Sequence, residues 1–493
     1  MNNAIRIHPC DSVAVALERI PKGGAIYGQG LEMAAAEEIP AGHKFALSAV
    51  TVGSPVIKYG CPIGFATANI PAGAHVHTHN LGTGLGGIQN YSYKPIHLKV
   101  NPSPGETFRG FLRKDGSAGV RNDLWILPTV GCVNDVAFQL AALARPHLRG
   151  SVGRVIPFRH PYGCSQAGED QTATRAILAD LARHPNAGGV LLVGLGCENS
   201  GVEEIKPFLG GSDESRIRFL VCQRHEDELA RGLALLKELA EQAAEAVRGP
   251  LPVEKLIVGL KCGGSDGLSG LTANPVIGGF SDRLIAKGGS TILTEVPEMF
   301  GAETLLMNRC PDEGLFHETV SLINRFKGYY EENHVPVYEN PSPGNKEGGI
   351  TTLEEKSLGC VQKSGAAPVR GVLGYGERAG GPGLRLLEAP GNDLVAATAL
   401  AAAGAQIVLF STGRGTPFAC PVPTVKISSN TSLACHKKNW IDFDAGRAAG
   451  GQDLSNLSEE LYRLVLAVAS GKELKHEAAG IHDMAIWKRG VTL

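Results

Sequence analysis

A chain of 493 residues, 43% hydrophobic and 19% charged, has ordinary values for a soluble globular protein of two to four domains. Its 47 basic and 49 acidic residues leave a net charge of −2, which excludes a global field for nucleic acid or an anionic membrane; an anionic ligand must be held by local Lys and Arg. Eleven cysteines, an odd number, and no secretory leader in MNNAIRIHPCDS point to reduced thiols in a cytoplasmic protein.

Residues 1–95 read as short β-strands. IRIHPCDSVAVAL, FALSAV and SPVIKYGCPIGFATANI alternate apolar and polar residues, broken by Gly and Pro, and predict a small β domain. Within it, HVHTHN places His75, His77 and His79 at alternate positions, so an extended strand would present three imidazoles on one face. That suits a metal, a polyol or acid–base work, although a solvated edge strand gives the same pattern. Residues 96–108, with HLKVNPSPGETF, read as an interdomain linker.

From residue 109 strands alternate with amphipathic helices, the signature of an α/β fold on a mainly parallel sheet. WILPTV, VIPF, VLLVGL and FLV fall in a middle α/β domain over 109–250. LIVGL, STILTEV and QIVLFS fall in a C-terminal α/β domain over 251–493. The apolar stretch 394–410 is short for a membrane span and is interrupted by Gly404 and Gln406; it reads as a buried helix followed by a strand.

Cys132, Cys164, Cys197 and Cys262 each lie at or just beyond the carboxyl end of a predicted strand, the edge at which open α/β sheets bind ligands. If gathered there, the four thiols suit iron or an iron–sulfur cluster; alternatively they fill tight Gly-rich turns. KCGGSDGLSGLTANP supplies Lys261, Ser265, Asp266 and Asn274 on a loop able to hold carboxylate or hydroxyl groups, without the glycine spacing of a nucleotide site. TEVPEMFGAE adds Glu295 and Glu298 as candidate acid, base or ligand groups. Arg414 and Lys426 are the first candidates to hold a substrate carboxylate, with Lys346 and Lys356 also available.

GCPIGFATANIPAGAHVHTHN, DGSAGVRNDLWILPTVGCVN, HPYGCSQAGED, CGGSDGLSGLTANP, TEVPEMFGAE and ENPSPGNKEGGITTLEEKSLGC together resemble the altronate and galactarate dehydratase family along essentially the whole chain. The resemblance implies an N-terminal SAF-type β-clip domain, a middle dimerisation domain forming a homodimer, and a Rossmann-like C-terminal domain. It also implies dependence on iron, with manganese able to substitute. The implied reaction is hydro-lyase chemistry in hexuronate breakdown, D-altronate losing water to give 2-dehydro-3-deoxy-D-gluconate. A histidine of the 75–79 cluster is expected to act as acid or base. Galactarate or another sugar acid is the alternative substrate; a non-catalytic sugar-acid-binding protein and a nicotinamide oxidoreductase are the rival classes.

Overall fold

A computed structural model describes residues 2–28, 30–103, 105–210 and 214–493. The N-terminal unit is all β. Val13–Ala16 pairs antiparallel with Ala4–Ile5 and with Lys44–Ala46, which in turn pairs with His75–Val76. A second antiparallel sheet joins Pro55–Lys58, Cys61–Ala66 and Leu81–Gly82. The expected three-histidine strand is corrected: extended structure stops at Val76, and 77–80 form a turn. Asn80 is the reason. Its side chain accepts from His77 N at 2.9 Å and donates to the His75 carbonyl at 2.8 Å, closing the chain on itself as Asn side chains favour.

Among the described residues of 83–106 there is no strand or helix, yet the segment is pinned across the C-terminal domain. Tyr93 Oη donates to the Cys310 carbonyl (3.1 Å), Ile96 N to Asn308 (2.7 Å) and Ser103 N to Ala286 (2.7 Å).

The middle unit is a four-stranded parallel sheet in the spatial order Val155–Pro157, Asp123–Pro128, Ala187–Gly194, Ile217–Val221. Helices Asn134–Ala144, Gly168–Ala182, Val202–Leu209 and Glu228–Ala244 alternate with these strands along the chain. The last begins where the Asp227 side chain accepts from Ala230 N, a standard N-cap. A small antiparallel sheet of Ala118–Gly119, Thr107–Leu112 and Gly249–Pro252 joins this unit to the next.

The C-terminal unit is a seven-stranded, wholly parallel sheet. Its spatial order is Val369–Leu373, Gly383–Leu387, Ser290–Leu293, Ile257–Cys262, Ile407–Thr412, Thr424–Ser428, Phe443–Asp444. The chain starts in the middle, builds to one side, and returns to the other through the buried helix Asp393–Ala402. The direction therefore reverses between Ile257–Cys262 and Ile407–Thr412, and the crevice beyond their carboxyl ends is where such sheets bind ligands. Among the described residues no helix is long and apolar enough to cross a membrane.

Two apolar clusters cross between units. One runs from Val13, Ile63 and Val76 into Val258, Leu260 and Phe280; another packs Trp125, Leu127 and Val190 against Leu400, Phe410 and Ile486.

Candidate active site

Pairing of Phe45 with His75 sets His43 beside the histidine turn. His43 Nδ1 lies 3.0 Å from His75 Nε2, and its Nε2 lies 3.1 Å from the Glu347 carbonyl of the C-terminal domain. The His77 and His79 rings sit 5.4 Å and 5.5 Å from that of His75. The three imidazoles therefore gather as expected, through a turn instead of a strand. Burial, then the neighbouring histidines for His75 and Lys44 for His77, pull His75 down to about 3 and His77 down to about 4, so both are neutral at pH 7. Glu37, His75 and His79 bring their donor atoms within 4.8 Å of one another, and Glu37 Oε2 accepts from His75 N at 3.3 Å.

Facing the histidines is the helix Leu353–Cys360, buried along its length and capped by Thr352, whose side chain accepts from Glu355 N. Its residues reach in several directions. Glu355 takes Lys44 Nζ at 2.8 Å and Lys58 Nζ at 2.7 Å, both from the N-terminal unit. Burial alone would raise the Glu355 carboxyl; the two ammonium groups override it and bring it down to about 2. Thr351 just ahead bonds His77 Nδ1 (2.9 Å) and Lys44. On the other side, Lys356 Nζ meets Glu298 Oε1 at 2.8 Å, and Cys360 Sγ meets Cys262 Sγ at 3.4 Å.

Cys262 ends the strand Ile257–Cys262. Its Sγ lies 3.0 Å from Glu298 Oε2 and accepts from Lys363 Nζ at 2.8 Å. The hydrogen bond from Cys360, followed by the lysines working against burial, brings the Cys262 thiol down to about 7. Lys356 and Lys363 hold Glu298 below the ordinary carboxylate range in spite of burial. Beside it, Lys261 contacts Glu295 and reaches Asp393 Oδ1 at 2.9 Å. Burial, reinforced by Glu298, pushes Glu295 up. Glu295 also holds a left-handed backbone, φ 68°, as the residue that caps the short 3-10 helix Val296–Met299. The arrangement is a buried cluster of paired charges. Cys262 Sγ and Glu298 Oε2 are hydrogen-bonded within it, between Lys356 and Lys363.

The loop after Cys262 closes the space between the units. Ser265, Asp266, Asn274, Tyr59, Lys58 and Cys360 are among the residues around a cavity of about 10 Å³, room for about one water. Asp266 is saturated by Ser269 Oγ (2.8 Å), Ser429 Oγ (2.8 Å) and Asn430 Nδ2 (3.0 Å). Asn274 ties Gly359 O (2.9 Å) to Ser411 Oγ (2.7 Å), so both residues pin the fold. Arg414, more exposed, bonds the Gly344 carbonyl at 2.9 Å and the Glu347 carboxylate at 2.6 Å, at the rim beside His43. Lys426 is turned elsewhere: its Nζ donates to the Pro417 carbonyl at 2.8 Å.

The expected meeting of Cys132, Cys164, Cys197 and Cys262 at one edge is corrected. The first three are exposed on loops of the four-stranded sheet, whereas Cys262 is buried at the end of a strand of the seven-stranded one. Glu37, His43, Lys44, Lys58, Glu355, Cys360, Lys363 and Asp393 were not singled out from the sequence. HKFA and VIKYG carried a signal, a lysine set among apolar strand residues, but its meaning depends on Glu355 some 300 positions on.

Residues 2–84 match the altronate/galactarate dehydratase SAF domain, 110–244 the D-galactarate dehydratase/altronate hydrolase second domain, and 253–492 the D-galactarate/altronate dehydratase C-terminal domain. The chain is 51% identical to an altronate dehydratase of Bacillus subtilis (strain 168) over 100% of both chains. It is 49% identical to one of Escherichia coli (strain K12) over 99% of both. Its identity to the galactarate dehydratase (L-threo-forming) of Escherichia coli (strain K12) is 33%, over 95% of this chain and 93% of that one.

Proposed function

Because the chain belongs to the D-galactarate/altronate dehydratase family, we propose that it is a hydro-lyase that removes water from D-altronate to give 2-dehydro-3-deoxy-D-gluconate. One observation carries the choice of substrate: identity to altronate dehydratases is 49–51% along the full chain, against 33% to the galactarate enzyme.

The chemistry requires taking a weakly acidic proton from the carbon beside a carboxylate and releasing hydroxide from the next carbon. Five buried lysines, Lys44, Lys58, Lys261, Lys356 and Lys363, line the junction already paired with acids or the Cys262 thiol, so Arg414 at the rim is the cation placed to meet a substrate carboxylate. His43 and His77, anchored on Glu347 and Thr351, are held to accept the carbon-bound proton or protonate the leaving hydroxyl.

Iron, or manganese in its place, suits Glu37, His75 and His79, since two imidazoles and a carboxylate match the preference of a divalent iron. Cys262, Glu298 and Cys360 also lie within 4.8 Å of one another, but the lysines on Cys262 and Glu298 already occupy those donors and oppose a further cation. Bound at the histidines, the ion would neutralise charge developing on the carboxylate and polarise a hydroxyl.

The test is keto-acid formation by the anaerobic, ferrous-loaded protein on a panel of sugar acids. D-altronate should turn over fastest, and His43→Gln and His77→Gln should each lower kcat by about 10²–10⁴-fold with the far-UV spectrum unchanged. No keto acid from D-altronate, or parental rates in both variants, overturns the assignment to which each arm belongs.

A further inference from the structure

Outside this junction the sequence repeats a short phrase: Gly131-Cys132-Val133-Asn134, Gly163-Cys164-Ser165-Gln166 and Gly196-Cys197-Glu198-Asn199. All three cysteines are exposed, and each follows one of three neighbouring strands of the middle sheet, Asp123–Pro128, Val155–Pro157 and Ala187–Gly194. Their loops are tied to one another. Gly131 N donates to the Tyr162 carbonyl (2.9 Å), Ser200 N to that of Gly163 (3.0 Å), and Thr129 Oγ1 to Glu198 Oε1 (2.6 Å). Asn199 Oδ1 accepts from Cys164 Sγ at 3.5 Å and from Ser165 N at 3.2 Å. Gly163 has φ 103°, and a Cβ on it would come within 2.0 Å of the Thr129 carbonyl, so that glycine lets the Cys132 and Cys164 loops touch. The sheet edge thus carries three accessible thiols on neighbouring loops that are hydrogen-bonded to one another.

We propose that Cys132, Cys164 and Cys197 bind a [4Fe–4S] cluster through three thiolates, leaving the fourth iron open to an exogenous oxygen ligand. A single ion would draw its sulfurs together at about 2.3 Å from the metal. Yet among the described residues neither group of three donors lying within 4.8 Å of one another includes these cysteines. A cubane carries its irons at separate corners and so accepts thiolates held farther apart. Cys222, which follows the fourth strand, is half-buried against the core of the middle unit, unlike the three exposed thiols, and burial pushes it up to about 11, so it is not assigned as a ligand. As two ferrous and two ferric ions assemble with four sulfides on the protein, three iron–thiolate bonds form in place of water on three irons, three thiol protons leave to solvent, and no external oxidant or reductant is needed. This site stands apart from the junction and does not depend on the activity proposed for it.

The full-length protein is incubated anaerobically with ferrous and ferric iron and inorganic sulfide, desalted, and assayed for both elements. The expected content is about four iron and about four sulfide per chain, with broad visible absorption that bleaches on reduction. Cys132→Ala, Cys164→Ala and Cys197→Ala should each lose most of the sulfide, while Cys222→Ala and Cys435→Ala keep it. Sulfide separates this site from iron at the histidines, which carries none. Should a variant unfold, alkylating the exposed thiols of the folded parent beforehand must block uptake equally. Iron uptake without sulfide in the parent, or undiminished sulfide in the three variants or after alkylation, overturns the proposal.

Discussion

Glu355 shows how much rests on one carboxylate. It faces two buried ammonium groups from another unit, so removing its charge leaves Lys44 and Lys58 without a counter-ion in a dry seam. Glu355→Gln is expected to lower stability by about 3–5 kcal/mol, read as a shift of the denaturant midpoint at neutral pH. Lys58→Met in the same chain should return part of the loss, because one unpaired charge is then gone. At the residue scale the sequence disclosed the type of side chain more readily than its partner. Cys262 was legible at a strand end and Glu298 beside a strand, but Cys360 stands 98 positions from Cys262 and nothing local connects them. Lys44 and Lys58 look like ordinary strand lysines until Thr351 and Glu355 are packed against them.

At the scale of elements, the helix Leu353–Cys360 has the largest role for its eight residues, since Glu355, Lys356 and Cys360 contact different partners around it. Its cap is therefore a sensitive point. Thr352 accepts from Glu355 N and donates to the Ile63 carbonyl of the N-terminal unit. Thr352→Ala should cost about 1–2 kcal/mol from the cap alone. It should also lower turnover more than an exposed cap substitution such as Asp227→Ala, which differential scanning and a parallel keto-acid assay would compare. Apolar runs revealed the four strands of the middle sheet and three of the seven C-terminal ones, Ile257–Cys262, Ser290–Leu293 and Ile407–Thr412, because a buried run needs no distant partner. Val369–Leu373, Gly383–Leu387, Thr424–Ser428, Phe443–Asp444 and the helix Glu313–Glu332 were not singled out. Periodicity misjudged HVHTHN, where alternation suggested a strand and the Asn80 side chain made a turn. A local side-chain bond outweighed a six-residue pattern.

Across the whole molecule, three buried imidazoles set an acid limit. His160, His184 and His476 each accept a backbone N–H on one ring nitrogen and approach a carbonyl with the other, an arrangement that fits the neutral ring. Burial pulls them down to about 4, 3 and 4. Because the folded values lie below the ordinary 6.5, the unfolded chain binds protons first. Stability is fully present above about pH 6.5 and declines as pH falls toward 4. The slope should approach about 1.4 kcal/mol per pH unit for each histidine, measurable as denaturation midpoints between pH 7 and 4.5. A midpoint that stays level over that range contradicts it.

The sequence also made the α/β class plain, while concealing that its strand-end cysteines belong to two sheets. Strand order is a global property, and Cys132, Cys164 and Cys197 differ from Cys262 only in which sheet their strands join.

The shared apolar wall between those sheets has a last consequence. Trp125, Leu127 and Val190 share one apolar cluster with Leu400, Phe410 and Ile486, so each unit completes part of the other's core. The two units are thus not separate bodies in water. Severed between 244 and 253, each would meet solvent with an oily flank, so the two must gain and lose their order together.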